Sequence, residues 1–117
     1  MERTNLMGGG YEIRWEEEVH GVKHASVVVP GGIAAGMEIP MPGCGLNAVV
    51  IRTATAYLIC GIADITVCEE LGDVAAVGNG TSLAMLLESP VRSVTSQAKA
   101  LGAQEGMTGL DVLKIFV

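Results

Sequence analysis

A chain of 117 residues, half of them hydrophobic, with a formal net charge of −6 and only seven Lys and Arg, fits one domain that buries roughly two-thirds of its unfolded surface without staples. So few cations cannot form a phosphate-neutralising stripe, which argues against nucleic acid or an anionic membrane surface as a partner. One Trp, two Tyr and one Phe leave the core to Val, Leu, Ile, Ala and Met, and almost remove base stacking from the options.

The first ten residues, MERTNLMGGG, lack periodicity and read as a loose tail; one Arg and no apolar run do not make a secretory signal. From Tyr11 to Val19, the residues Tyr11, Ile13 and Trp15 alternate with Glu12, Arg14 and Glu16, the pattern of a half-buried strand. The His20-Gly21 turn leads into a returning strand over Val22–Val29, closing a hairpin that Pro30 stops. Residues 30–45 hold three of the four prolines and five glycines, so this stretch reads as an irregular apolar Gly/Pro loop insert. An apolar loop of this length is expected to pack on something, as a lid, a subunit contact or a ligand cover.

Residues 46–51 and 56–62 read as a second hairpin whose strands are buried on both faces at the sheet's centre. The stretch 46–67 is long enough for a membrane span. Arg52 and Asp64 lie inside it, however, and each costs about 2.5 to 3.5 kcal/mol near a bilayer centre, so no span is expected. Next comes a short helix over 65–71, with Asp64 as its N-cap, Ile65, Cys68 and Leu71 facing inward and Gly72 at its end.

A strand over 73–77, the turn Gly78-Asn79-Gly80, a helix over 83–88 capped by Thr81 or Ser82, and a brief strand over 91–94 make a compact βαβ unit with a right-handed crossover. Thr95 caps a helix running to Leu101. Thr108 caps a last one reaching Phe116, with Leu110, Leu113 and Phe116 inward. The expected architecture is therefore one α+β domain over residues 11–117, a mixed sheet from two N-terminal hairpins plus the βαβ unit, with helices packed on it.

The segments ICGIAD, EELGDVAAV, SLAMLLESPV, SVTSQAKALG and EGMTGLDVLKIF occur in an order that resembles the YunC-like family of small bacterial and archaeal proteins (domain of unknown function 1805). The resemblance reaches back more weakly through both hairpins. It implies an α+β domain with a mixed sheet and Cys60-Gly61 as a signature, and it implies no activity. Two departures stand out: Ile62 and Ala63 replace an aromatic and a Leu after Cys-Gly, and Asn79-Gly80-Thr81-Ser82 replaces a Gly-x-Arg-Thr loop.

Chemistry, if any, points to the end of the run Ala56–Asp64, because the crevice beyond a strand's carboxyl end exposes backbone groups that the ladder no longer uses. Cys60 is the candidate nucleophile, although a free thiol is mostly protonated at neutral pH and no cation is near it in sequence. Gly61, Asp64, Asn79, Gly80, Thr81, Ser82 and Thr95 are the candidate ligand-binding residues, since a Gly-rich strand-to-helix loop can aim N–H groups at a ligand. Most of these polar residues have an ordinary capping role as well. His20, His24 and Cys44 match no strong zinc spacing, so no metal is expected. No cofactor motif is present and no Ser-His-Asp order occurs. Three cysteines without an export signal point to reduced thiols and a cytoplasmic protein. The leading expectation is a self-associating domain, a homo-oligomer with a small-molecule pocket near Cys60; the alternative is a small enzyme with Cys60 as nucleophile.

Overall fold

The computed structural model describes residues 10–117; apart from Gly10, the expected tail lies outside them. Among the described residues seven strands form one mixed sheet in sequential order: β1 (Glu12–Val19), β2 (Val22–Val29), β3 (Gly32–Pro40), β4 (Asn47–Arg52), β5 (Ala56–Ile59), β6 (Val74–Val77) and β7 (Ser93–Val94). Four short helices join them: α1 (Ile65–Glu70), α2 (Leu83–Glu88), α3 (Ser96–Ala100) and α4 (Gly109–Phe116). The protein is thus α+β, with a single mixed sheet.

The β1–β2 turn has His20 and Gly21 at φ of 53° and 82°, the left-handed pair that matches the twist of a two-residue hairpin. β1 bulges between Trp15 and Glu17. Of the face expected to turn inward, Tyr11 is buried and Ile13 half-buried, whereas Trp15 is exposed. The Lys23 ammonium lies 5.8 Å from the Trp15 ring centroid, a favourable contact even in water.

The irregular insert expected over 30–45 is largely a strand. Gly32–Pro40 pairs with β2 on one side and β4 on the other, which turns two hairpins into a five-stranded meander. Pro30 stands in the preceding turn, and Pro40 is the last strand residue, where a missing N–H costs least. The alternation is real but built from small or charged residues: Ala34, Gly36 and Glu38 are buried, while Ile33 and Ala35 face out. The true loop is 41–46.

Three further expectations are corrected. β4 and β5 are not buried on both faces: Val49, Ile51, Ala56 and Leu58 are buried, while Val50, Tyr57 and Ile59 are partly exposed and Arg52 is exposed. The parallel crossover is β5–α1–β6, because β7 runs antiparallel to β6. Leu71 is also exposed rather than inward, leaving Cys68 as the buried residue of α1.

α2 and α4 pack on each other and on the face that carries Leu58. Leu83, Leu86, Leu87, Val112 and Leu113 are fully buried there, and truncating one such Leu to Ala costs about 2 to 5 kcal/mol. Gly109 makes the approach possible, since a Cβ at that position would stand 2.1 Å from the Leu86 carbonyl oxygen. α1 sits at the β5–β6 end of the opposite face, where the Tyr57 hydroxyl reaches it. Among the described residues no helix covers the remaining meander face.

All four helices begin with side-chain caps. Asp64, Ser82, Thr95 and Thr108 accept from the N–H of Thr66, Met85, Ala98 and Asp111, contacts worth about 1 kcal/mol each.

Candidate functional site

β5 and β6 are the parallel pair, and the chain leaves their carboxyl ends through Cys60-Gly61 and Gly78-Asn79-Gly80. A cavity of about 230 Å³ opens there, against the start of β4 and the 41–46 loop. Its lining brings together four of the sequence-derived candidates, Cys60, Gly61, Gly80 and Thr81, with Cys44 and Asn47. Asn47 Nδ2 donates to the Thr81 carbonyl at 3.2 Å and so ties β4 to the loop before α2. Gly80 has φ +145°, and a Cβ on it would stand 2.7 Å from the Leu86 nitrogen; only glycine fits.

Cys60 is 6% exposed and belongs to the apolar core cluster. Its Sγ accepts from the Val49 N–H at 3.4 Å, and no His or carboxylate is hydrogen-bonded to it among the described residues. His24 lies on β2, three strands away from β5, or about 14 Å across the sheet at normal strand spacing. No group of three His, Cys, Asp or Glu is gathered for a metal among the described residues.

The other candidates lie elsewhere. Asp64 is exposed and its Oδ1 caps α1; Ser82 Oγ caps α2; Asn79 is exposed and does not line the cavity. Thr95 is fully buried. Its hydroxyl donates to the Ala75 carbonyl and accepts from the N–H of Ala75 and Ala98, so it stitches α3 to β6 and has nothing left for a ligand.

Sequence reasoning missed Arg92, which follows α2 and precedes β7. Its guanidinium lies over Gly61, where a Cβ would meet Nη2 at 3.0 Å and Cζ at 3.5 Å. Gly61 does not have a positive φ, so its bare Cα lets the guanidinium lie close, and a Cβ there would shift the flexible end of Arg92 rather than strain the backbone. A glycine at a strand end with no turn requirement was the available signal for a close approach.

Two larger concavities, of about 330 and 320 Å³, lie around Glu16, His24 and Arg52 and around Trp15, Glu18 and Lys23. Each draws on the strands of the meander, with no contribution from a strand-to-helix turn. Behind β5, the Tyr57 hydroxyl bonds Asp73 Oδ2 at 2.5 Å and Cys68 Sγ at 3.3 Å. Burial first, then these partners, hold the phenol well above its usual range. Cys68 is a packing residue of that cluster.

The fold and the crevice define a small α+β domain with a mixed sheet and a cavity beyond its parallel strand pair. A family model described as a domain of unknown function (DUF1805) matches residues 59–115, from the end of β5 into α4, in agreement with the resemblance to YunC-like proteins. A crystal structure of a protein of unknown function from Thermoplasma acidophilum has the same fold, with a TM-score of 0.62 at 16% identity over 97% of this chain and 100% of the other. Among curated proteins nothing matches.

Proposed function

We propose that the domain binds a small molecule in the cavity beyond the carboxyl ends of β5 and β6. The observation that carries this reading is convergence: three separate segments, 41–48 with Cys44 and Asn47, 60–62 with Cys60 and Gly61, and 80–81 with Gly80 and Thr81, line one space. Its walls are mostly apolar, with Met41, Leu46 and Ile62 beside the polar Asn47 and Thr81, the mixture that ligand sites present. In this reading Cys60 is a wall residue; its burial and its missing base count against a nucleophile. The test is a thermal-shift panel of metabolites on the wild type and on Thr81→Trp, which puts a large side chain on the cavity's lining. A ligand should raise the melting temperature of the wild type alone. A panel without hits, or with hits equal in both proteins, would refute the reading.

A second reading, self-association, is favoured by the helix-free face of the meander. Ile33 there is 61% exposed beside the half-exposed Met37, Ile39 and Val50. Light scattering on the wild type and Ile33→Lys tests it: the wild type should run as a dimer and the variant as a monomer. A monomeric wild type at tens of micromolar would contradict it.

A further inference from the structure

We propose that Arg92, which lies over Gly61 without itself lining the cavity, and the Gly61-Ile62 turn form an anion-binding corner at the Gly61 edge of this cavity, so that its ligand carries a carboxylate or phosphate group. This rests on the small-molecule reading above and goes further by naming the ligand's charge.

Arg92 is held from its backbone. Its N–H donates to the Val77 carbonyl at 2.8 Å at the end of β6, and the carbonyl of the preceding Val91 accepts from Gly106 at 3.0 Å. The guanidinium therefore starts from a fixed point and lies across Gly61, the residue that also lines the cavity. Any larger residue at 61 would displace it.

The chain has thirteen Asp and Glu against seven Lys and Arg, yet among the described residues the ion pairs are Arg14 with Glu12 and Lys114 with Asp111. Arg92 has no ion-pair partner among the described residues and lies over Gly61 at the cavity's edge. The N–H groups of Cys60 and Ala63 are taken by the carbonyls of Val49 and Cys60, whereas those of Gly61 and Ile62 have no protein partner among the described residues. A planar guanidinium fork next to two unused backbone donors suits a small oxyanion, which it can bind through two parallel hydrogen bonds. The surrounding negative charge repels anions at long range, so a ligand of this class needs such a local cation. No other candidate residue supplies one: Asn79, Gly80, Thr81 and Ser82 are all neutral.

The test is a titration of isotope-labelled protein with inorganic phosphate, and in parallel with acetate, at constant ionic strength, followed by amide and Arg Nε–H resonances. The resonances of Gly61, Ile62 and Arg92 should shift saturably in the wild type. Arg92→Gln, checked for an unchanged melting temperature, should bind at least tenfold more weakly, while Arg52→Gln, which removes another exposed arginine, should bind normally. Whichever anion binds more tightly identifies the oxyanion. Shifts that never saturate, or that persist in Arg92→Gln, would overturn the proposal. Neutral fragments that shift Cys60 and Thr81 in a protein blind to both anions would overturn the anion corner and leave the cavity as a ligand site. Silence toward fragments and anions alike would overturn both.

Discussion

Glu38 on β3 and Leu83 at the start of α2 are joined by one hydrogen bond across the fold, the Leu83 N–H donating to Glu38 Oε2 at 2.8 Å. Glu38 is buried, and its carboxylate holds the start of α2, and with it the Gly80-Thr81 wall of the cavity, against the sheet. Glu38→Ala leaves that N–H unpaired and should cost about 1 to 3 kcal/mol. Glu38→Gln keeps an acceptor and should cost clearly less. Urea unfolding of both variants checks this; equal losses would mean that the bond contributes nothing beyond packing.

The contact between α4 and α2 is set by the missing side chain at Gly109. With a Cβ 2.1 Å from the Leu86 carbonyl oxygen, Gly109→Ala must push the helices apart, and a loss of about 3 kcal/mol or more is expected. Gly43→Ala, where nothing stands within 4 Å, should stay within about 0.5 kcal/mol. Thermal or urea melts of the pair give the comparison.

Stability should fall in alkali before the backbone itself is affected. Burial, followed by the hydrogen bond to Glu88, pushes the Tyr11 phenol from 10.0 up to about 12, and Tyr57 is raised as well. Below pH 10 both phenols are protonated in folded and unfolded chains, and the stability is fully present. Between pH 10 and about 12 the unfolded chain ionises while the folded one does not, so stability declines. Tyr11→Phe should flatten that decline in unfolding free energy measured against pH; an unchanged slope would contradict the assignment.

The three thiols should separate sharply. Cys44 is exposed, while Cys60 and Cys68 are buried, so alkylation of the native protein should label Cys44 first. Cys60 and Cys68 should lag by roughly a hundredfold or more, because they react through local opening. Peptide mapping of a time course reads this directly. A Cys60 that reacts as fast as Cys44 would revive the nucleophile reading.

Most of the local structure was legible in the sequence. The caps at Asp64, Thr95 and Thr108, the His20-Gly21 turn and the 83–88 helix follow from short-range chemistry that tertiary contacts did not override. β3 was hidden because its inward residues are Ala34, Gly36 and Glu38 rather than large hydrophobes, and because Pro30 and Pro40 bracket it. The direction of β7 is set by packing and leaves no local trace. At the site, Cys60, Gly61, Gly80 and Thr81 were legible from strand ends and glycines, while Arg92 was not, since 31 positions separate it from Gly61 and only the fold brings them together. Asp64, Ser82 and Thr95 show the converse: residue types suited to a ligand are used up by the backbone of their own helices.

The central claim is that the space between Cys60, Asn47 and Thr81 is where this protein takes a ligand. Soaking crystals with a library of small acidic and neutral fragments tests it most directly. Density for acidic fragments in that cavity, with the acid group toward Arg92, is the expected result. Fragments gathering instead in the concavity beside Glu16, His24 and Arg52, with the Cys60 cavity left vacant, would contradict it.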